Sequence, residues 1–112
     1  MTKQEHCDHR DDLEHDHPLQ TDDVVASAAA MCAAMGDVRR LRLLELMLHG
    51  RHCVSQLAEE TGASMPSISQ RLKILHQARL VSRQREGKHI YYALADGHVR
   101  DILKQLFIHS SE

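Results

Sequence analysis

The stretch CVSQLAEETGASMPSISQRLKILHQ, residues 53–77, decides the fold. Its first half has apolar residues at helical spacing and ends at Gly62, the residue type that commonly follows a helix. Its second half begins at Ser64, a favoured helix N-cap, and tolerates Pro66 because proline fits the first turn. The side chains expected to face the core are Val54, Leu57, Ala58, Ile68, Leu72 and Leu75. Two helices joined by a tight glycine-containing turn predict a helix-turn-helix over about 53–78.

The outer face of the second helix carries short polar and basic side chains. Such side chains near the start of a helix read base edges in the major groove of DNA. The residues expected to do so are Ser67, Ser69, Gln70, Arg71 and Lys73. Helical periodicity alone favours an ordinary helical hairpin, so the decision between the two interpretations depends on the segment that follows.

That following segment is LVSRQREGKHIYYAL, the predicted wing at about 80–94. It contains two β-prone runs around Glu86-Gly87-Lys88, a pattern that predicts a β-hairpin. A helix-turn-helix followed at once by a basic hairpin is a winged helix, whose wing lies along the phosphates of double-stranded DNA. The wing residues expected to contact DNA are Arg83, Arg85 and Lys88, with His89 beside them.

Two more helices are predicted before the helix-turn-helix. The first begins at Thr21, continues through the alanine-rich run VVASAAAMCAAM and stops at Gly36, with Cys32 expected in the core. Asp37 caps the second helix, VRRLRLLELMLH. Its expected core stripe is Val38, Leu41, Leu44 and Leu48.

Composition indicates one domain of 112 residues with an acidic tail. Residues 1–20 have no apolar periodicity and read as a flexible, His/Cys-rich tail, and residues 21–112 form the domain. The net charge is −6 over residues 1–23 and +4 over the rest, so the body is basic, as a DNA-binding surface requires. No apolar run of membrane-spanning length or signal-peptide type occurs, which predicts a soluble cytoplasmic protein without a membrane partner. Catalytic motifs such as HExxH and GxSxG are absent, so we expect no enzyme activity.

The chain ends in DGHVRDILKQLFIHSSE, a predicted helix at about 96–112. Its His98 and His109 share one face but stand ~16 Å apart along the axis, so one ion cannot bridge them within one chain. The stripe suited to a seam between two helices is Val99, Ile102, Leu103 and Leu106.

Residues 24–112 resemble the ArsR/SmtB family of dimeric winged-helix repressors nearly without a gap. The stretches that carry the resemblance are GDVRRLRLLELML, HCVSQLAEETGASMPSISQRLKILHQARLVSRQREGKHIYYAL and DGHVRDILKQLFIH. The resemblance implies a mainly α fold with a small β-hairpin, a winged helix-turn-helix that assembles as a homodimer on operator DNA.

The resemblance also implies a metal site. In the zinc-sensing branch the last helices of two protomers run antiparallel, and the pattern D-x-H, ten residues, H-x-x-[EH] supplies half a site from each end. In this sequence the pattern falls on Asp96, His98, His109 and Glu112. The dimer would then hold two sites for zinc, or for another divalent metal, each shared between the protomers.

A second metal site is implied by relatives whose N-terminal Cys/His segment folds against the third helix of the partner. Here such a site would use His6, Cys7 and His9 with Cys53. The family's CVC pair is replaced by Cys53-Val54-Ser55, which removes one thiolate and disfavours arsenic, lead or cadmium as the main inducer.

The sequence therefore predicts a metal-responsive transcriptional repressor that binds operator DNA when metal-free and is released by zinc at the dimer interface. One alternative keeps the fold but senses nickel, cobalt or thiol oxidation. Another is a zinc-buffering protein that uses its ten histidines and has no sequence-specific affinity for DNA.

Overall fold

The computed structural model describes residues 18–112, which form five helices and a three-stranded antiparallel sheet of order β1-β3-β2. The helices are α1 (Asp22–Met35), α2 (Val38–Met47), α3 (Val54–Thr61), α4 (Met65–Gln77) and α5 (Gly97–Ser110). The strands are β1 (His52–Cys53), β2 (Val81–Glu86) and β3 (His89–Leu94). The predicted mainly α fold with a winged helix-turn-helix is confirmed. The short strand β1, which pairs with β3, was not predicted.

The helices begin where the sequence places short polar residues. Thr21, Asp37, Ser64 and Asp96 each accept a hydrogen bond from a backbone N–H of the turn that follows, at 2.9–3.3 Å. These bonds satisfy donors that a helix start otherwise leaves unpaired. Gly62 ends α3 with φ +77°, a left-handed conformation that favours glycine and turns the chain into α4.

One apolar core lies between the helix-turn-helix, α2, the sheet and the inner side of α5. All three residues predicted to face inward from α4 are fully buried, as is Leu57 of α3. The side chains with less than 2% exposure include Leu43, Leu44, Met47, Leu57, Ile68, Leu72, Leu75 and Leu103. The buried face of α4 therefore fixes this helix to the rest of the domain, and its outer face stays exposed to solvent.

The predicted core stripe of α2 was partly wrong. Val38 is 82% exposed, whereas Leu43 and Met47, which the stripe omitted, are buried beside Leu44. Leu41 and Leu48 pack only against the edge of the core. Because α2 has leucines on more than one side, its sequence pattern alone does not show which face is buried. Packing against α4 and β3 determines the buried face.

The prediction of Cys32 as a core residue was also wrong, because its side chain is exposed. Only the side of α1 that contains Met31, Ala34 and Met35 packs against the core, and Ala34 is its one buried residue.

The α5 residues predicted to form a seam between two helices are only partly available for one. Val99 and Leu103 are buried in the protomer, whereas Ile102 and Leu106 are 52% and 39% exposed.

Candidate DNA interface and metal centre

The first half of α4 presents polar side chains on its outer side. Ser69, Gln70 and Lys73 are exposed, and Ser67 and Arg71 are half-buried on the side that faces α2. The Ser64 hydroxyl donates to Ser67 Oγ at 2.9 Å, which leaves the Ser67 hydroxyl hydrogen available for an external acceptor. The five predicted residues thus lie within residues 67–73 of one helix, and their role in reading bases remains a prediction.

The wing is a two-stranded ribbon in which Glu86 pairs with His89 across a turn at Gly87 and Lys88. Gly87 has φ +63°, a conformation that a side chain rarely adopts. The three predicted contact residues, Arg83, Arg85 and Lys88, are exposed. Residues two apart on a strand share a face, so Arg83 and Arg85 project to the same side of the ribbon.

An ion pair at the wing was not predicted. Both guanidinium nitrogens Nη1 and Nη2 of Arg51 donate to the Glu86 carboxylate, at 2.7 and 3.1 Å. The guanidinium carbon of Arg51 also lies 4.1 Å from the centre of the Tyr91 ring. The hydrogen bond from Arg51 lowers the pKa of Glu86 and raises that of Arg51. Because Glu86 is already paired, the charge that the wing shows to DNA is more positive than its sequence suggests.

We expect Arg85→Ala to weaken binding to all DNA duplexes alike, because a phosphate contact carries no sequence information. Each lost phosphate contact reduces the slope of log affinity against log salt by ~0.9, or ~1.8 for a dimer with two wings. The measurement is binding of an operator and of a scrambled duplex across a salt series. Gln84→Ala, on the opposite face of the same strand, is the control and should leave the slope unchanged.

The N-terminal end of α5 brings one imidazole and one carboxylate together. His98 Nδ1 lies 3.6 Å from Asp96 Oδ1, and the two side chains are 93% and 54% exposed. The hydrogen bond from the Val99 N–H is the main cause that lowers the pKa of Asp96, with His98 a smaller one. Asp96 is therefore anionic at neutral pH and needs no proton loss before it binds a cation.

The other end of α5 carries the remaining two predicted ligands. His109 lies in the last turn and Glu112 follows the C-cap Ser111, and both are exposed. Within one protomer, residues 18–112 contain no cluster of three or more His, Cys, Asp or Glu side chains placed to hold a metal ion. Two imidazoles and two carboxylates suit zinc, but the ends of the helix are too far apart to meet in one chain. A metal site that uses both ends of α5 would therefore have to be shared between two chains.

The second predicted site can be described only at Cys53, because His6, Cys7 and His9 lie outside the described residues. Cys53 is half-exposed at the N-cap of α3, and its Sγ lies 3.1 Å from Ser55 Oγ. This hydrogen bond is the main cause that lowers the pKa of the Cys53 thiol. A thiol with a lowered pKa is a better ligand for a soft metal and a better target for oxidation.

An apolar groove of about 770 Å³ runs between α1 and α5. Its walls include Cys32 and Met35 of α1 with Leu41 of α2 on one side, and Ile102 and Leu106 of α5 on the other. Further exposed apolar side chains on the same two helices are Val24, Val25 and Ile108. Apolar surface of this extent is typical of a protein interface.

The chain is similar to known DNA-binding regulators. Residues 37–83 match the family described as bacterial regulatory protein, arsR family. A transcriptional repressor SmtB homolog of Synechocystis sp. is 34% identical over 90 residues, which cover 80% of this chain and 68% of the relative. A cadmium resistance transcriptional regulatory protein CadC homolog of Staphylococcus aureus is 29% identical, with 75% of this chain and 70% of that protein covered.

Solved structures give the same result for the fold. The homodimeric winged helix-turn-helix DNA-binding domain of Mb0332 from Mycobacterium bovis matches with a TM-score of 0.78 at 28% identity. The match covers 85% of this chain and 91% of that domain. No helix within residues 18–112 has the length and apolar character needed to span a bilayer.

Proposed function

Because the chain belongs to the arsR family of bacterial regulatory proteins, we propose that it is a homodimeric repressor that releases its operator when it binds zinc. It is a transcriptional regulator and not an enzyme. We place its action in the cytoplasm, on an inverted-repeat operator that mirrors the two-fold symmetry of a dimer. The observation that carries the zinc proposal is α5, with Asp96 and His98 at one end and His109 and Glu112 at the other.

The apolar surface of α1 and α5 supports the homodimer. The groove between these helices is open, and a second copy would cover the exposed Ile102 and Leu106. If the α5 helices run antiparallel, Asp96 and His98 meet His109 and Glu112 of the partner subunit. Two equivalent sites follow from the symmetry, with four ligands in each, as a tetrahedral zinc site needs.

Zinc binding at α5 would affect DNA binding through the contacts that attach α5 to the helix-turn-helix and the wing. Val99 and Leu103 are buried in the core that also holds α4. Arg100 Nη1 donates to the Leu48 carbonyl at 3.0 Å, and the Ala95 N–H donates to the Leu80 carbonyl at 3.0 Å. A change in the angle between the two α5 helices would therefore move α4 and the wing with them. Bound zinc would supply the link between the ends of the two helices.

The test is an operator-binding assay with and without each divalent metal. Zinc should weaken operator binding by ~5- to 150-fold, the range of a coupling free energy of ~1–3 kcal/mol. Release by nickel or cobalt and not by zinc would favour a site with more than four ligands. Metal binding without any sequence-specific DNA affinity would favour the zinc-buffering alternative and contradict the repressor.

Thiol oxidation is a second candidate signal, favoured by the lowered pKa of Cys53. Oxidation would add bulk or charge at the N-cap of α3, which is the first helix of the helix-turn-helix. An operator-binding assay with mild oxidant, repeated with Cys53→Ser, separates this signal from zinc. Release by oxidant that the substitution abolishes would assign the response to Cys53.

Removal of residues 1–20 should leave operator binding and zinc release intact, because Thr21 still caps α1 and all four α5 ligands remain. The lost segment is acidic, so DNA affinity should rise slightly through reduced like-charge repulsion. The measurement is operator affinity of the full chain and the truncated chain at several zinc concentrations. Loss of the zinc response on truncation would place the sensor in a site formed by His6, Cys7 and His9 with Cys53.

A further inference from the structure

The first turns of α2 carry three arginines, two of which have partners within the protomer. Arg40 Nε donates to the Ala34 carbonyl at 2.7 Å and closes the C-terminal end of α1. Arg42 forms an ion pair with Glu45, one turn further along the same helix. Both guanidinium groups are therefore engaged in holding helices, which distinguishes them from Arg39.

Arg39 has no hydrogen-bond acceptor for its guanidinium among residues 18–112. The nearest carboxylate oxygen is Oδ1 of Asp37, 3.9 Å from Arg39 Nε, beyond hydrogen-bond distance. That oxygen already accepts the backbone N–H groups of Arg39 and Arg40, at 2.9 and 3.1 Å. These bonds lower the pKa of Asp37, the one from Arg40 most, and hold its carboxylate on the helix start. The side chain of Arg39 is 71% exposed.

Arg39 lines a cleft of about 460 Å³ between the start of α2 and the first half of α4, which we call the Arg39–Arg71 cleft. The α4 residues in its wall include Ser67, Gln70 and Arg71, three of those expected to contact DNA. Arg71, unlike Arg39, has no carboxylate within 4.0 Å among the described residues. Two guanidinium groups that donate no hydrogen bond to a carboxylate thus face one cleft beside α4, and the wall of that cleft also includes Asp37.

We propose that the Arg39–Arg71 cleft binds a phosphate of the DNA backbone, with Arg39 as its principal ligand. The inference rests on the proposed function and adds a DNA contact outside both the recognition helix and the wing. When α4 lies in a major groove, the phosphates at the groove edge pass beside its first turns, where the cleft opens. A planar guanidinium matches two phosphate oxygens at once, so Arg39 would fix the register of α4 on the duplex.

The test compares Arg39→Ala with Arg42→Ala, which removes the same charge one turn away on the same helix. Each variant is titrated with an operator and with a scrambled duplex across a salt series. Arg39→Ala should weaken binding roughly 3- to 10-fold, equally for both duplexes, because an exposed ion pair is lost from each half of the dimer. Its salt slope should be shallower by ~1.8, whereas Arg42→Ala should keep the wild-type slope.

Three outcomes would overturn the inference, and one of them also overturns the proposed function. A salt slope in Arg39→Ala equal to that of the wild type would reject the phosphate site. An equal reduction of the salt slope in Arg39→Ala and Arg42→Ala would also reject it, because the effect would then come only from the net charge. Wild-type protein that binds no duplex at any salt concentration would reject both. Because Arg39 is exposed and Asp37 keeps its capping bonds, thermal unfolding of Arg39→Ala should match the wild type. Arg39→Lys should recover the salt slope but only part of the affinity, since it keeps the charge and loses the planar geometry.

Discussion

His109→Ala should give a repressor that binds its operator as the wild type does but no longer releases it in zinc. His109 lies at the far end of α5 and contributes neither to the core nor to α4 or the wing, so DNA contacts should be unaffected. The substitution removes one imidazole from each of the two symmetric sites. Three candidate ligands remain, and three can still hold zinc with water in the fourth place, so weak metal binding is compatible with loss of the response.

The informative quantity is therefore the coupling between zinc and DNA, and not zinc affinity alone. Operator affinity is measured with and without saturating zinc for the wild type, for His109→Ala and for His49→Ala, an exposed histidine outside the proposed site. The wild type and His49→Ala should lose affinity in zinc by ~5- to 150-fold, and His109→Ala by little or nothing. An equal zinc-dependent loss in His109→Ala would reject the inter-helix mechanism even if the site still bound metal.

Ile102→Glu should convert the dimer into monomers and thereby remove most of the operator affinity. Ile102 is 52% exposed and lines the apolar groove, so the substitution leaves the protomer core intact and puts a charge where the second copy would pack. A charge buried in an apolar interface without a partner is strongly unfavourable. Two linked DNA-binding domains bind an operator ~10²- to 10⁴-fold more tightly than one, and a monomer loses this increase in affinity.

Sedimentation velocity and operator titration are the two measurements for this variant. Lys104→Gln is a suitable control, because it changes the net charge by the same one unit at an exposed position that does not line the groove. It should remain dimeric and bind DNA nearly as the wild type does. A dimeric Ile102→Glu protein would show that the groove between α1 and α5 is not the dimer interface.

The sequence predicted the helix-turn-helix well because each of its signals is local. Ser64 caps α4 through its own side chain, and Gly62 supplies the left-handed turn. Of the six residues predicted to face inward, Leu57, Ile68, Leu72 and Leu75 are fully buried and the other two, Val54 and Ala58, are half-buried. The wing could also be predicted from the sequence, because Gly87 marks the turn between two β-prone runs. These features depend on residues within a few positions of one another, so no knowledge of the tertiary packing is needed.

Features that depend on contacts between residues far apart in the sequence could not be predicted. Arg51 and Glu86 are 35 positions apart, and only the pairing of β1 with β3 brings their segments together. Cys32 and Val38 looked like core residues because they are apolar and helical, but the packing of α1 and α2 turns them outward. The exposed guanidinium of Arg39 could not be distinguished from its neighbours, because it differs from them in having no hydrogen-bond partner, whereas Arg40 and Arg42 each have one. The inter-chain metal ligands remain a prediction.

Because α1 is exposed in the single chain, the lifetime of the protein should depend on its abundance. Ala34 is the one residue of Asp22–Met35 that the protomer buries, and a helix of this length is marginal in water without packing. Folding of α1 and assembly of the dimer should therefore be linked by mass action, so that the melting temperature rises with protein concentration. In a cell with few copies, unpaired chains would expose a frayed segment to proteases, while assembled chains would be protected. The steady-state level of the repressor should then rise more steeply than its rate of synthesis.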